Sequence, residues 1–203
     1  SHDQQKKSVG YSGIREHLEK RLLAGQVVKP DSTPEHPAGK SPAERGAKYM
    51  LQILVSACLA GENCKWDGGN NRNEAVLEFM KKMEGKAQFH LVCPEQAGGL
   101  PTPRPASEIQ SGDETVINTE GRNVTAEFLL GADFALREAK KYGCTMAILK
   151  DRSPSCGTKE VYDGTFTHTK RTGMGKTANL LSGYGIRVVG ESELLALEEE
   201  LSE

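Results

Sequence analysis

The sequence predicts an α/β fold: a single compact domain with a mainly parallel, Rossmann-like sheet flanked by helices, preceded by an N-terminal extension of a helix and a linker. After residue 50, short apolar runs alternate with segments of helical spacing, which is typical of a parallel sheet covered on both sides. Residues 1–49 are instead polar and rich in proline. A chain of 203 residues suits one domain with an appendage, divided into 1–49 and 50–203.

The extension contains SGIREHLEKRLLAGQ, whose helical spacing places Ile14, Leu18 and Leu22 on one face. Ser12 is a candidate N-cap and Gly25 a stop signal. The polar, proline-rich stretch that follows predicts a linker or a strap on the surface. The extension is either a docking arm or an appendage that buries one helix stripe. The second interpretation is favoured because such stripes are usually core.

Beyond residue 50, four short apolar runs predict strands and four periodic segments predict helices. The strand segments are QILVSACL, FHLVCP, TMAILK and IRVVG. The helix segments are NEAVLEFMKKME, TAEFLLGADFALREAKKYG, GKTANLLSGYG and ESELLALEEELSE. Thr125 is predicted to cap the second helix and Gly143 to end it. The segment TVINTEGRNVT is predicted to be a hairpin or an irregular excursion.

Composition restricts the function classes. The net charge of -2 gives no reason to expect a nucleic-acid surface, although a local basic rim remains open. No apolar run reaches the roughly 18 residues of a membrane span. The 5 cysteines are an odd number and too sparse for a disulfide scaffold. We therefore expect a cytoplasmic protein with reduced thiols, in which cysteines in polar loops are ligands or nucleophiles.

Three cysteines follow predicted strands: Cys58 the first, Cys93 the second and Cys156 the third. Because parallel strands end at one edge of the sheet, where ligands bind, these thiols are predicted to converge in one crevice. Cys144 precedes the third strand, so it is predicted to lie at the opposite edge as a small buried hydrophobe. Cys64, soon after Cys58, is either a fourth ligand or a neutral loop residue, and the second is favoured.

Three thiolates leave one coordination position open, which is typical of catalytic rather than structural metal sites. The paired cysteine units of zinc modules and the clustered spacing of ferredoxins are both missing. The residues alone do not distinguish zinc from a [4Fe–4S] cluster, but soft thiolates favour the cluster.

Polar residues beside these cysteines indicate an active site. Glu95 is predicted to move a proton or hold a water, the alternative being a capping carboxylate. Ser153 and Ser155 are predicted to orient a substrate by hydrogen bonds. Positive charge for an anionic ligand or a charged cluster is predicted to come from Arg104, Lys150 and Arg152. For the two arginines a solvated salt bridge is the alternative.

Two further segments carry weaker signals. GMGKT lacks the first glycine of a phosphate-binding loop, because Lys170 stands there, and no predicted strand leads into it. A modest anion site at a helix start remains open. The 5 histidines are scattered, so a histidine metal site is not expected. His168, in TFTHTKRTG, is a surface candidate for the mouth of the pocket.

Four blocks, in order, resemble the DUF523 proteins, the thiouracil desulfurase (TudS) family: ILVSACLAG with WDGGN, VCPEQAGGLPTPRP, LKDRSPSCGT, and YDGTFTHT with GMGKTANLL. The resemblance covers about residues 51–195. It implies a [4Fe–4S] cluster held by Cys58, Cys93 and Cys156, with one iron free to take sulfur from a thiocarbonyl. Glu95 and the two serines match the family's active-site segments. The second, helical domain of some relatives is absent, which makes large RNA substrates doubtful.

The resemblance implies a desulfidase that converts thiolated pyrimidines such as 2- or 4-thiouracil to uracil and hydrosulfide without net redox change. Glu95 would activate water, and a serine would hold the ring. The expected partner is a small thiolated nucleobase, and neither membrane binding nor a stable nucleic-acid complex is expected. The protein is expected to be a monomer or homodimer. The alternatives are a non-catalytic metal-binding or electron-transfer module, with Cys64 as fourth ligand, and a tRNA sulfur-transfer enzyme that uses the same cluster.

Overall fold

The computed structural model describes residues 50–202, so the predicted N-terminal helix and linker in 1–49 lie outside the described residues. The strands are β1 (Leu51–Ser56), β2 (Ala87–Val92), β3 (Ser107–Ile109), β4 (Val116–Asn118), β5 (Met146–Leu149), β6 (Glu160–Tyr162), β7 (Lys170–Thr172) and β8 (Arg187–Gly190). The helices are α1 (Glu74–Lys82), α2 (Pro94–Ala97), α3 (Thr125–Tyr142), α4 (Lys176–Gly183) and α5 (Leu194–Ser202), with 3₁₀ turns at Ala57–Ala60 and Glu191–Glu193.

A four-stranded sheet in the order β2-β1-β5-β8 forms the centre, and all its pairs are parallel. In register, Ile53 of β1 lies opposite both Phe89 of β2 and Met146 of β5. The predicted mainly parallel sheet flanked by helices is therefore confirmed. Because the four strands run the same way, their carboxyl ends share one edge of the sheet.

Alternate residues of the sheet supply two separate cores. Leu54 packs with Ala135 of α3 and Leu181 of α4 on one face. Its neighbour Ile53 packs on the opposite face with Phe79 of α1, and α5 contributes to the same cluster. Since successive side chains in a strand point to opposite faces, an unbroken apolar run such as that of β1 indicates burial on both sides. Each fully buried leucine or isoleucine contributes about 1.5–3 kcal/mol.

The long helix α3 ends as predicted but begins differently. Gly143 caps its carboxyl end with φ 70°, a left-handed conformation that glycine adopts without steric cost. Thr125, predicted as the N-cap, is instead the first helical residue. Its hydroxyl donates to Asn123 Oδ1 at 2.7 Å and accepts from the Val116 amide at 2.8 Å. Because β4 lies against the start of the helix, the Thr125 hydroxyl bonds the Val116 amide of β4 and does not cap the helix.

Two antiparallel ribbons lie beside the main sheet: β3 with β4, and β6 with β7. In the predicted hairpin TVINTEGRNVT, Val116–Asn118 forms β4, which pairs with Ser107–Ile109. The segment also turns back on itself as predicted, since Ile117 forms an antiparallel bridge with Asn123 and the Val124 amide donates to the Val116 carbonyl at 2.9 Å. The strands β6 and β7 were not predicted, because each has only three residues and β7 is the polar sequence KRT. Across residues 50–202, no helix combines the length and the apolar character needed to cross a lipid bilayer.

Candidate active site

A pocket of about 430 Å³ opens at the carboxyl edge of the sheet, where segments that follow β1, β2 and β5 meet. The structure brings every site residue predicted from the sequence to its lining: Cys58, Cys93, Cys156, Glu95, Ser153, Ser155, Arg104, Lys150 and Arg152. His168 lines it as well. The parallel topology explains this convergence, while the chemical role of each residue stays a prediction.

Cys58 lies in the 3₁₀ turn that follows β1. Gly61 closes the turn with φ 100°, and its amide donates to the carbonyls of Ala57 and Cys58. The Asn71 backbone amide also donates to the Cys58 carbonyl at 3.0 Å, and the Asn71 side chain contributes to lowering the pKa of the Cys58 thiol. The loop after β1 therefore folds back on Cys58 and holds it at the pocket.

Cys93 is the N-cap of the short helix α2, whose first residue is Pro94. This helix packs backbone to backbone on α3 through two glycines. A Cβ on Gly98 would lie 1.9 Å from the Glu127 carbonyl oxygen, and one on Gly131 would lie 1.9 Å from the Pro94 carbonyl oxygen. Both positions therefore exclude any side chain, and the close approach fixes the segment that carries Cys93 and Glu95.

Glu95 and Arg104 form a mostly buried ion pair with 2.6 Å between Arg104 Nε and Glu95 Oε2. The remaining guanidinium nitrogens donate to the carbonyls of Pro101 and Cys64 and to the Thr102 hydroxyl. Burial raises the pKa of Glu95, although the neighbouring guanidinium opposes this shift. Arg104 therefore ties the glutamate to the loop that carries Cys64.

The loop of Cys156 is fixed by hydroxyl groups. Ser153 Oγ accepts from the amides of Ser155 and Cys156, both at 3.1 Å. The Ser155 hydroxyl, almost fully buried, hydrogen-bonds Thr177 Oγ1 at 2.9 Å. Thr177 supports the site from outside the pocket lining, and the sequence did not reveal it because 22 positions separate the two hydroxyls.

The GMGKT segment anchors this same loop. The first amides of α4 donate into it, Lys176 to the Pro154 carbonyl at 3.0 Å and Thr177 to the Ser155 carbonyl at 2.8 Å. A Cβ on Gly175 would lie 2.4 Å from the Ser155 carbonyl oxygen, so glycine is required. The expectation that no strand leads into GMGKT was wrong, since β7 directly precedes it. Because these helix amides already donate to carbonyl oxygens of the protein, they are not available to bind an anion.

Cys64 lies among the thiols of the pocket. It is 4% exposed, and the Cys93 thiol donates to the Cys64 carbonyl oxygen at 3.7 Å. The neighbouring Cys64 thiol lowers the pKa of Cys58 and lowers that of Cys93 to about 7, while the pKa of Cys64 itself is raised. The raised pKa describes a neutral thiol at the pocket lining, and whether Cys64 is a ligand stays a prediction. Cys144 is buried in the core, away from the pocket lining.

Cys156 has a different environment from the other two predicted ligands. Its complete burial raises the pKa of the thiol to about 12, opposed by a hydrogen bond with Ser56. Ser56 is itself buried, and its hydroxyl also accepts from the Lys150 amide at 3.0 Å. A thiol in such a place becomes a thiolate only when a metal centre binds it. Ser56 ends β1, so its strand-end position was the signal that could have identified it.

The three predicted cationic residues differ in how many of their nitrogens bond to other protein groups. Arg104 uses its nitrogens on protein acceptors, and Lys150 pairs with Glu191. Arg152 is exposed, and its guanidinium has no hydrogen bond or ion pair with another of residues 50–202. Arg152 has φ 61°, a left-handed conformation that is uncommon for a residue with a side chain.

The thiols surround a cavity instead of meeting at a point. Within the described part of the chain, no group of three or more histidine, cysteine, aspartate or glutamate side chains could hold a single metal ion. The thiols of Cys58, Cys93 and Cys156, with Cys64 beside them, nevertheless share one pocket. Thiolates distributed around a cavity suit a polynuclear iron–sulfur centre better than a single tetrahedral zinc ion.

Comparisons with known proteins agree with this geometry. Residues 53–193 match the family model of 2-thiouracil desulfurase. The chain is similar to the uncharacterized protein YbbK of Bacillus subtilis (strain 168), with 38% identity over 150 residues, covering 70% of this chain and 97% of the relative. It is also similar to the solved structure of the [4Fe-4S]-dependent thiouracil desulfidase TudS (DUF523Vcz), with 41% identity and a TM-score of 0.68, covering 75% of this chain and 98% of that one.

Proposed function

The chain belongs to the 2-thiouracil desulfurase family, and we propose that it removes sulfur from thiolated pyrimidines such as 2- or 4-thiouracil. The products would be uracil and hydrosulfide, formed by hydrolysis without net redox change. The observation that carries the proposal is the single pocket lined by Cys58, Cys93, Cys156 and Glu95. A cytoplasmic location and a small free nucleobase as partner belong to the same proposal.

The cofactor of this proposal is a [4Fe–4S] cluster held by Cys58, Cys93 and Cys156. The thiol donors around one cavity support it, as does the cluster dependence of the similar desulfidase. With three cysteine ligands, a bound cluster would leave one iron without a protein ligand and would supply a Lewis acid for the sulfur of a thiocarbonyl. The Ser56 hydroxyl and the Asn71 side chain favour the thiolate forms of two of these cysteines, because they lower the pKa of Cys156 and of Cys58 respectively.

Glu95 is the proposed general base. Its Oε2 is engaged by Arg104, which leaves Oε1 to accept a proton from the water that attacks the thiocarbonyl carbon. Burial raises the pKa of this carboxyl, which brings its proton affinity closer to that needed for exchange with water near neutral pH. The carbon–sulfur bond then breaks as the new carbonyl forms, and the sulfur takes the proton from Glu95 and leaves as hydrosulfide. The second proton of the water is released to solvent, so one water is consumed and no electrons are exchanged.

The two serines have different surroundings. Ser153 accepts two backbone amides, so its hydroxyl hydrogen is available to donate to a ring oxygen or nitrogen of the substrate. Ser155 shares its hydroxyl hydrogen bond with Thr177 and is almost fully buried. These contacts favour Ser153 as the residue that holds the ring and Ser155 as one that shapes the Cys156 loop.

The proposal is tested by anoxic reconstitution with iron and sulfide, followed by 2-thiouracil turnover with uracil and hydrosulfide both quantified. Cys58→Ala is expected to lose the cluster absorbance and turnover together. Cys144→Ala is the matched control, because this cysteine lies in the core away from the pocket, and it should keep both. A fully loaded wild-type protein that releases no hydrosulfide would overturn the proposal.

A second candidate function is a non-catalytic metal-binding or electron-transfer module, favoured by the burial of Cys64 against Cys58 and Cys93. In that case Cys64 would be a fourth ligand and no iron would be open. Cys64→Ala distinguishes the two functions: retention of the cluster and of turnover supports the desulfidase, whereas loss of the cluster supports four-cysteine ligation.

A further inference from the structure

The loop between β6 and β7, residues 163–169, approaches the pocket and is here named the threonine loop. It contains Thr165, Thr167 and Thr169, whose hydroxyls hydrogen-bond one another in series at 2.7 and 2.9 Å. His168 in this loop and Tyr162 just before it line the pocket mouth. Their rings meet edge to face, with centroids 6.5 Å apart and an interplanar angle of 77°.

The backbone of the threonine loop has an uncommon conformation. Phe166 has φ 57° and His168 has φ 61°, both in the left-handed region that bulky side chains rarely adopt. Such a conformation persists only where the surrounding structure determines it, and this is most often at ligand sites. The threonine loop is therefore held in place by contacts outside itself.

Glu108, on β3, supplies the main contact. Its side chain is buried, and Oε2 accepts from the amides of Gly164 and Phe166, both at 3.0 Å. The neighbouring Gln110 side chain donates to the Gly164 carbonyl at 3.0 Å. A buried carboxylate that accepts hydrogen bonds from two backbone amides fixes the path of a loop. Glu108 has no role in the proposed reaction itself.

Gly164 allows this approach. Its φ is 92°, and a Cβ there would lie 2.8 Å from the Cα of Gln110. Both the backbone conformation and the contact with β3 therefore require glycine. The strand β3, the carboxylate of Glu108 and the glycine together hold the threonine loop against the pocket.

We propose that the threonine loop is a pre-formed substrate-recognition element, in which Glu108 positions the backbone and the His168 imidazole contacts the pyrimidine ring at the pocket mouth. This inference rests on the proposed function for the identity of the ligand. A neutral imidazole has one donor and one acceptor nitrogen. The amide-like N–H and carbonyl of a pyrimidine offer the complementary pair. His168 acts in binding and takes no part in proton transfer, so it determines affinity and not the rate of carbon–sulfur cleavage.

The test compares His168→Ala and His168→Gln in the reconstituted protein with 2-thiouracil as substrate. His168→Ala is expected to raise KM about five- to tenfold, as expected for one lost hydrogen bond to a ligand, with kcat within about twofold of wild type. His168→Gln, which keeps a donor and an acceptor, should recover part of the affinity. His90→Gln is the control, because His90 lies on β2, stacked on Tyr142 and outside the pocket lining.

A binding measurement separates recognition from turnover. The dissociation constant of uracil, measured by calorimetry on the cluster-loaded protein, should rise in His168→Ala by the same factor as KM. Glu108→Ala should have the same effect, and the double variant should be no worse than either single variant, since both act on one contact. Glu108→Gln, whose amide oxygen still accepts, should behave nearly as wild type.

The outcomes distinguish this inference from the proposed function. If wild type converts thiouracil while His168→Ala leaves KM and the uracil dissociation constant unchanged, the recognition role is wrong and the desulfidase proposal stands. If wild type binds uracil in a His168-dependent way but releases no hydrosulfide, the recognition role stands and the proposed reaction is wrong. A fall in kcat alone in His168→Ala would also overturn the inference.

Discussion

Arg104 Nε lies 2.6 Å from Glu95 Oε2, and the same guanidinium donates to the Cys64 carbonyl at 2.9 Å. The Arg104 side chain thus joins Glu95, the proposed proton-transfer group, to the loop that carries Cys64. Both partners of the ion pair are mostly buried, so the pair is largely shielded from water. The consequences can be measured as changes in stability and in turnover.

Arg104→Ala should lower the free energy of unfolding by about 3–5 kcal/mol, because removal of one partner leaves a buried carboxylate without its cation. Chemical denaturation of the cluster-free protein measures this loss. Arg72→Ala, which breaks an exposed ion pair with Glu74, is the control and should cost at most about 1 kcal/mol. Equal losses in the two variants would contradict the structural role assigned to Arg104.

Glu95→Gln should spare the cluster and lower kcat by about 10²–10⁴-fold, since the amide keeps the shape but cannot take a proton. Cluster absorbance and iron content check the first half, and hydrosulfide release checks the second. Full activity in this variant would remove Glu95 from the mechanism.

Gly131→Ala should destabilise the fold by about 1–3 kcal/mol or more, because the new Cβ meets the Pro94 carbonyl oxygen and forces α2 away from α3. Gly183→Ala, at the end of α4 with open space around it, should stabilise by about 0.5–1 kcal/mol. Thermal and denaturant unfolding compare the two. A neutral Gly131→Ala would show that the helix contact tolerates a methyl group.

Thr177→Val should cost about 1–3 kcal/mol, because it leaves the buried Ser155 hydroxyl without its partner. Thr145→Val, at an exposed position before β5, is the matched control and should be nearly neutral. The same Thr177 variant should lower cluster occupancy if the hydroxyl pair holds the Cys156 loop, and iron content per chain reports this.

Cys64→Ala should raise the pKa of the Cys93 thiol from about 7 toward its ordinary 9.0, because the hydrogen bond from Cys64 is its largest cause of depression. In the cluster-free protein, the alkylation rate of Cys93 followed against pH measures the change, with peptide mass spectrometry identifying the site. Near pH 7 the variant should react more slowly than wild type, since less thiolate is present. An unchanged profile would show that the two thiols do not interact.

The sequence alone was enough to predict the central sheet and the meeting of Cys58, Cys93 and Cys156 at one pocket. Each of these cysteines follows an apolar run, and parallel strands bring their carboxyl ends to a common edge whatever the details of packing. The same reasoning placed Glu95 and the serines there, because they are close in sequence to the cysteines.

Only the tertiary structure revealed the contacts between residues far apart in the chain. The Ser155 hydroxyl meets that of Thr177 across 22 positions, and the Glu108 carboxylate accepts from the Phe166 backbone amide across 58. The place of Cys64 at the pocket lining, beside the Cys93 thiol, depends on how the loop after β1 folds. Such contacts depend on loop paths and on backbone approaches of a few ångströms, which no local period or motif in the sequence records.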